Sequence, residues 1–260
     1  PYLTSLGGAD VVVGDTIAIA GLGLGAITVG AVAVVTDGGS GGNDTYIVDA
    51  GSDTINNLNV IVFLLFYGDA TATASGVTNF VATAATKNLG TVTINASDVG
   101  STIDLSLAAA ISATTATNGF TVVGGTGVDT ISGSSKGDVM TGGAGNDVFV
   151  IKPNAFGTSG TFDTFDTITD FATTADKLDM VVAGAGGNYV EINGTGMTFA
   201  AAQAAAQAQF NTTVAAHVFV YDVAGDGYLF SDVTLDNAID GQVKLTGLTT
   251  AAGLDFADII

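Results

Sequence analysis

Apolar and polar residues alternate with period two over long parts of the chain, which is the pattern of half-buried strands. It is cleanest between Asn88 and Val123, where TVTINA and FTVV set Val, Ile and Phe against Thr and Asn. Those residue types favour strands. The longest unbroken apolar run, VIVFLLFY from Val60 to Tyr67, suits a buried strand. It falls far short of the roughly 18 residues that a membrane span needs. A helix is expected at one place, TFAAAQAAAQAQF from Thr198 to Phe210, with Thr198 positioned to cap it. From Val218 the strand pattern returns in VFVYDV, YLFSDV and QVKLTGL, and the chain closes on DFADII.

A second rhythm overrides the alternation from Gly124. The stretch divides into GGTGVDTIS, GSSKGDVMT and GGAGNDVFV, three blocks of nine. The first and third satisfy G-G-x-G-x-D-x-U-x at every defined position, U being a large apolar residue. The middle block keeps Gly133, Asp138 and Met140 but loses two glycines. A looser pair, GSGGNDTYI from Gly39 and VDAGSDTIN from Val48, keeps Asp44 and Asp53 in the sixth place.

Composition sharpens this picture. Among 260 residues, 37 are glycine and only two are proline, which calls for many tight turns between short strands. Hydrophobic residues make up 47%, enough to bury a substantial core. Acidic residues outnumber lysines 25 to five, with no arginine, and every acid except Glu191 is Asp. A net charge of −20 disfavours nucleic acid and anionic membrane surfaces as partners. Near-exclusive Asp points to turns and to oxygen ligation of hard cations. With no cysteine, a disulfide framework, a thiolate metal site and a Cys nucleophile are all excluded. The chain begins with Pro1 and shows no amino-terminal secretion signal, as expected of a processed chain or one cut from a longer parent.

The repeat has a physical reading. Glycines permit a tight turn with inward carbonyl oxygens, which a Cβ would obstruct, and the Asp adds an anionic oxygen at its end. The next three residues form a short strand whose apolar centre enters the core. Two blocks make one coil of a parallel β-roll, so turns on one rim lie eighteen residues apart, as Asp129 and Asp147 do. One complete Ca²⁺ site is therefore expected between the turn Gly124, Gly125, Thr126, Gly127 to Asp129 and the turn Gly142, Gly143, Ala144, Gly145 to Asp147. Asp138 faces the opposite rim. Its neighbours at that spacing are Phe120 and Phe156, so its site is complete only if the region of Asp163 or Asp166 folds back to it. Asp44 and Asp53 lack acidic neighbours at that spacing and read either as turn formers or as ligands.

These nonapeptides resemble the RTX (repeats-in-toxin) family, whose members are exported by type I secretion and folded by extracellular calcium. The following FDTFDTITDFATTADKLDM resembles the segment after the repeats in serralysin-type proteases, D-x-I-x-D-F-x(4)-D-K-[IL]-D. That resemblance implies calcium-ligand roles for Asp166 and Asp176 and more structural ones for Asp170 and Asp179. The family's preceding acid is absent, Ser159 standing at its usual distance, and Asp163 is the candidate replacement. DGQVKLTGLTTAAGLDFADII is similar to RTX carboxyl-terminal domains that carry an uncleaved secretion signal. Residues 88–260 together resemble the carboxyl-terminal part of RTX-type bacterial S-layer proteins of the Caulobacter-like kind, whereas residues 1–37 match nothing.

Catalytic constellations are few. The single histidine, His217, cannot form an H-E-x-x-H zinc site, and it reads as a packed or surface residue. Gly38 to Gly42 fits G-x-S-x-G but opens a nonapeptide rather than a strand–turn–helix elbow. GLGLGA at Gly21 is followed by strand-forming ITVGAVAVV, not by the helix of a dinucleotide site. DVAGDG at Asp222 lacks EF-hand ligand spacing and reads as a turn.

The expected architecture is mostly β: a calcium-binding parallel β-roll, flanking antiparallel, β-sandwich-like strands and one short helix. The expected divisions are 1–66 with degenerate repeats, 67–123, the roll at 124–150, and a serralysin-like domain at 151–260 with the secretion signal. The expected function is that of a non-catalytic, secreted structural protein that self-assembles in calcium into a surface layer or extracellular filament. Its partners would be further copies of itself and, as a candidate anchor, a cell-surface polysaccharide. The alternatives are an adhesin or the export domain of a larger secreted hydrolase.

Overall fold

The computed structural model describes residues 26–30, 34–36, 45–50, 52–56, 63–66, 71–82, 86–88, 90–107, 119–134, 136–151 and 165–260, with backbone alone before residue 71. Strand follows strand in a winding of short coils. The first coils are β1 (Ala26–Gly30) with β2 (Val34–Thr36), then β3 (Thr45–Ala50) with β4 (Ser52–Asn56). Next come β5 (Phe63–Phe66), β6 (Thr71–Val77) and β7 (Asn79–Val81), then β8 (Lys87–Asn88), β9 (Thr91–Ala96) and β10 (Thr102–Asp104). The nonapeptides supply β12 (Thr130–Ser132), β13 (Val139–Thr141) and β14 (Val148–Ile151), preceded by β11 (Thr121–Val123). The serralysin-like stretch adds β15 (Asp166–Ile168) and β16 (Lys177–Met180).

Strands of successive coils pair in parallel and form the walls of the roll. One wall is the sheet β16-β14-β12-β10-β7, and the facing wall belongs to an 11-stranded sheet containing β15-β13-β11-β9-β6-β4-β2. A four-stranded sheet β1-β3-β5-β8 completes the early coils. The alternation now has its cause. In β9 the pattern TVTINA buries Val92 and Ile94 and turns the threonines outward. Register partners stack Phe80, Ile103, Ile131, Phe149 and Leu178 on one wall, and Ile94, Val122, Met140 and Ile168 on the other. All nine are fully buried. Ile131, Met140 and Phe149 are the eighth residues of the three nonapeptides.

The strands flanking the repeats differ on the two sides. Those upstream, β6 to β11, pair in parallel and continue the roll, where antiparallel pairing was expected. Alternation fixes which face of a strand is buried but not the direction of its neighbour. Antiparallel pairing occurs downstream. There β17 (Tyr189–Asn193), β18 (His217–Val223), β19 (Asp226–Ser231) and β20 (Gly241–Leu245) extend the long sheet beyond β15. β20 joins β15 in parallel, and the pairs β20–β19 and β19–β18 are antiparallel.

The helix forms where expected. α1 (Phe199–Phe210) starts on Thr198, whose Oγ1 accepts a 3.2 Å hydrogen bond from the Ala201 amide. Ala202, Ala206 and Phe210 are its buried face and pack with Val218, Val220 and Phe230 in a second cluster. Small alanines let the helix lie close to the sheet. No helix of the described residues is long and apolar enough to cross a membrane.

Candidate metal centre

Four turns stack along one rim of the roll, at 97–101, 124–129, 142–147 and 170–176. They lie so close that side chains are excluded between them. A Cβ on Gly124 would run into the Gly142 carbonyl oxygen, and one on Gly143 into that of Gly125. Gly143 also has φ +89°, a conformation that L side chains rarely adopt. Glycine is thus required here by close approach and by backbone sign together, and the result is a column of carbonyl oxygens turned between coils.

The aspartates form a second column beside it. Asp147 Oδ1 accepts a 2.8 Å hydrogen bond from the Asp129 amide, eighteen residues upstream. Asp176 Oδ1 accepts from the Asp147 amide at 3.0 Å, across a coil of 29 residues. The other oxygen serves the residue's own turn: Asp129 Oδ2 accepts from Gly125 N at 2.8 Å, and Asp176 Oδ2 from Ala172 N at 2.8 Å. Asp147 Oδ2 lies against Gly142. Asp170 joins the group by accepting from the amides of both Gly142 and Gly143, at 2.9 and 2.8 Å. Thr126 and Ala144 are exposed at the turn tips.

Asp138 lies on the opposite rim, as its spacing predicts. Asp166 comes back to it: Asp138 N donates to Asp166 Oδ1 at 2.9 Å, across a coil of 28 residues. The coil is longer than two nonapeptides, so Phe156 is not the downstream neighbour that an eighteen-residue count names. Upstream the count holds, and Phe120 N donates to Asp138 Oδ1 at 2.6 Å. The turn between is less open than its glycine-rich counterparts, because Ser134 Oγ donates to both Asp138 oxygens. Asp44 and Asp163 lie outside the described residues. For Asp53 the backbone alone is described, in β4 opposite Ala72.

Electrostatics make this arrangement costly for the protein by itself. Asp129, Asp138, Asp147, Asp166 and Asp176 are all buried. Among the described residues no lysine pairs with any of them; Lys177 binds Asp258 and Lys244 binds Asp226, both at 2.7 Å. Burial pushes the Asp147 carboxyl up, and the charges of Asp176, Asp129 and Asp170 push it further. Burial likewise raises Asp138 to about 6, and it raises Asp166 to about 8 with the Asp138 charge adding to it. Buried like charges at such spacing call for a counter-ion.

The donor set says which kind. The 124–129 and 142–147 turns bring carboxylate and carbonyl oxygens together, with no histidine or cysteine among them, which is the ligand chemistry of a hard divalent cation. The glycine cradle that a Cβ would fill leaves those oxygens exposed to an ion. Comparison with known proteins agrees: four copies of the RTX calcium-binding nonapeptide repeat match residues 38–56 and 123–150. The chain thus carries RTX-type calcium-binding repeats, and the cofactor they take is Ca²⁺. No curated protein matches the chain in sequence. Asp129, Asp147 and Asp176, with the carbonyls of the first two turns, are the residues that fit the ion.

The histidine and the Asp222 turn that the sequence singled out are engaged elsewhere. His217 is buried, its Nδ1 3.0 Å from Ser231 Oγ and its Nε2 donating to the Val182 carbonyl at 2.8 Å. Asp222 accepts from Thr195 Oγ1, and Asp226 holds Lys244 and the Gly247 amide. Two features had no signal in the sequence: the fourth turn at 97–101 and the packing of DFADII. In that last segment Ile259 bridges to Leu178, and Asp258 holds both Lys177 and Thr173 at the end of the roll. The turn at 97–101 carries no nonapeptide signature, since Ser101 stands in the sixth place.

Proposed function

We propose that the protein is a secreted, non-catalytic structural protein whose folding, and assembly into a surface layer or extracellular filament, is switched on by calcium. The observation that carries the calcium part is the column Asp129, Asp147 and Asp176, buried and without a basic partner among the described residues. Where calcium is scarce, repulsion along the column and flexible glycine turns favour the unfolded chain that an export channel accepts. Outside the cell, at around millimolar calcium, ions bind only the folded turns and stabilise them by mass action. Repeats of this type are typical of secreted proteins, and the likeness of residues 88–260 to RTX-type S-layer proteins supports the structural role. So does the exposure of Val99 and Val128 on neighbouring turns of one rim, an apolar contact available to a second copy.

Negative-stain electron microscopy of the purified chain in millimolar calcium and in EGTA tests the assembly. Sheets or filaments in calcium that dissolve on chelation are expected. Monomers under both conditions would instead favour an adhesin anchored to cell-surface polysaccharide, or an export domain of a larger hydrolase.

A further inference from the structure

We infer that the carboxylate column holds one more divalent-cation position than the repeats mark, at the junction between turn 97–101 and turn 124–129. Its oxygen donors are Asp129 Oδ1, the main-chain oxygen of Ser97 and the Asp98 carboxylate. The inference rests on the calcium reading of the repeats and extends it one coil upstream.

A directional rule runs through the roll. Four times an Asp sends Oδ1 to the amide one coil upstream: Asp176 to Asp147, Asp147 to Asp129, Asp166 to Asp138, and Asp138 to Phe120. Asp129 breaks the rule. Its Oδ2 holds the Gly125 amide as usual, but its Oδ1 is buried and finds no donor among the described residues. One coil upstream, Ser101 occupies the place of the aspartate. Its Oγ accepts from the Ser97 amide at 3.2 Å and donates to the Val77 carbonyl at 2.8 Å, so it faces away from Asp129. A buried carboxylate oxygen without a donor forfeits its hydration and gains nothing in exchange.

The junction repeats the geometry of the calcium turns. A Cβ on Gly125 would run into the Ser97 carbonyl oxygen, just as one on Gly143 would run into that of Gly125. Ser97 therefore holds the place in its turn that Gly125 and Gly143 hold in theirs. Thr126 Oγ1 ties the two turns by donating to the Asp98 carbonyl at 3.2 Å. Asp98 is exposed in this turn and brings a second carboxylate to the rim. With Ser101 in place of an aspartate the junction has one anionic oxygen fewer than its neighbour, so it fills last.

Isothermal titration of the whole chain with calcium, beside native mass spectrometry to count ions, tests this. Ser101→Asp restores the missing carboxylate and is expected to tighten the weakest binding step at least tenfold. Asp98→Asn, at an exposed position, is expected to weaken that same step at least tenfold and to leave the tighter steps unchanged. If wild type binds calcium normally and neither variant alters any step, the junction is no cation position. Should Ser101→Asp fail to fold, Asp98→Asn decides alone. Wild-type protein that binds no calcium would sink the reading of the repeats, a result distinct from the failure of this junction.

Discussion

Asp147 and Asp129 stand one coil apart, the Oδ1 of the first holding the amide of the second at 2.8 Å, with both side chains shut away from solvent. The bond is a backbone clamp and the carboxylate is a charge, and the two roles separate on substitution. Asp147→Asn keeps an acceptor oxygen and removes the charge. Calcium binding is expected to weaken at least tenfold, roughly 1.4 kcal/mol. In EGTA the variant should melt no lower than wild type, because repulsion from Asp129, Asp170 and Asp176 is relieved. Paired titration calorimetry and thermal melts check both halves.

Gly143→Ala tests the stacking of turns. The methyl would meet the Gly125 carbonyl at a backbone φ of +89°. A loss of about 1–3 kcal/mol is expected from urea unfolding in calcium. Ala144→Ser, next along the chain but exposed, should change stability by less than about 0.5 kcal/mol.

Acidity should stabilise the opposite rim when calcium is absent. Asp138 and Asp166 titrate higher in the folded chain than the ordinary carboxylate value near 3.9, at about 6 and about 8. A carboxyl raised on folding binds its proton more tightly in the native state, so stability falls as pH rises through the folded values. In EGTA the chain should therefore become more stable as pH is lowered from 8 to about 6.5. Below that, His217 works the other way, since burial lowers its value and protonation favours the unfolded state. Asp166→Asn should flatten the slope between pH 8 and 6.5, as read by urea midpoints across that range.

The closing segment of the roll is expected to contribute to stability. Ile259 is buried and bridges Leu178, while the Met180 amide donates to Ile260 O and the Ile260 amide to Leu178 O, both at 2.9 Å. Ile259→Ala should cost about 2–5 kcal/mol. Urea denaturation in calcium measures it, with exposed Ile260→Ala as a control expected to change little.

Local features were legible in the sequence, and features set by coil length were not. The helix α1 and its Thr198 cap depend on residues within a turn of each other, so spacing reveals them. Asp129 and Asp147 were legible because nothing interrupts the two nonapeptides between them. Asp138 and Asp166 meet across a coil of 28 residues, so an eighteen-residue count leaves Asp166 as one of two candidates, with Asp163, to fold back. Ser101 holds an aspartate's place with a hydroxyl, which erases the motif while the coil persists. The parallel pairing of β6 to β11 was hidden for another reason: alternation is the same whichever way the neighbouring strand runs.

The central claim is that calcium sits between the turns 124–129 and 142–147. A crystal grown in calcium, with an anomalous difference map collected at long wavelength, tests it most directly. A peak bounded by Asp129, Asp147 and the carbonyl oxygens of the two glycine turns is the predicted result. Full occupancy of the lattice by folded protein with no peak at that junction would contradict it.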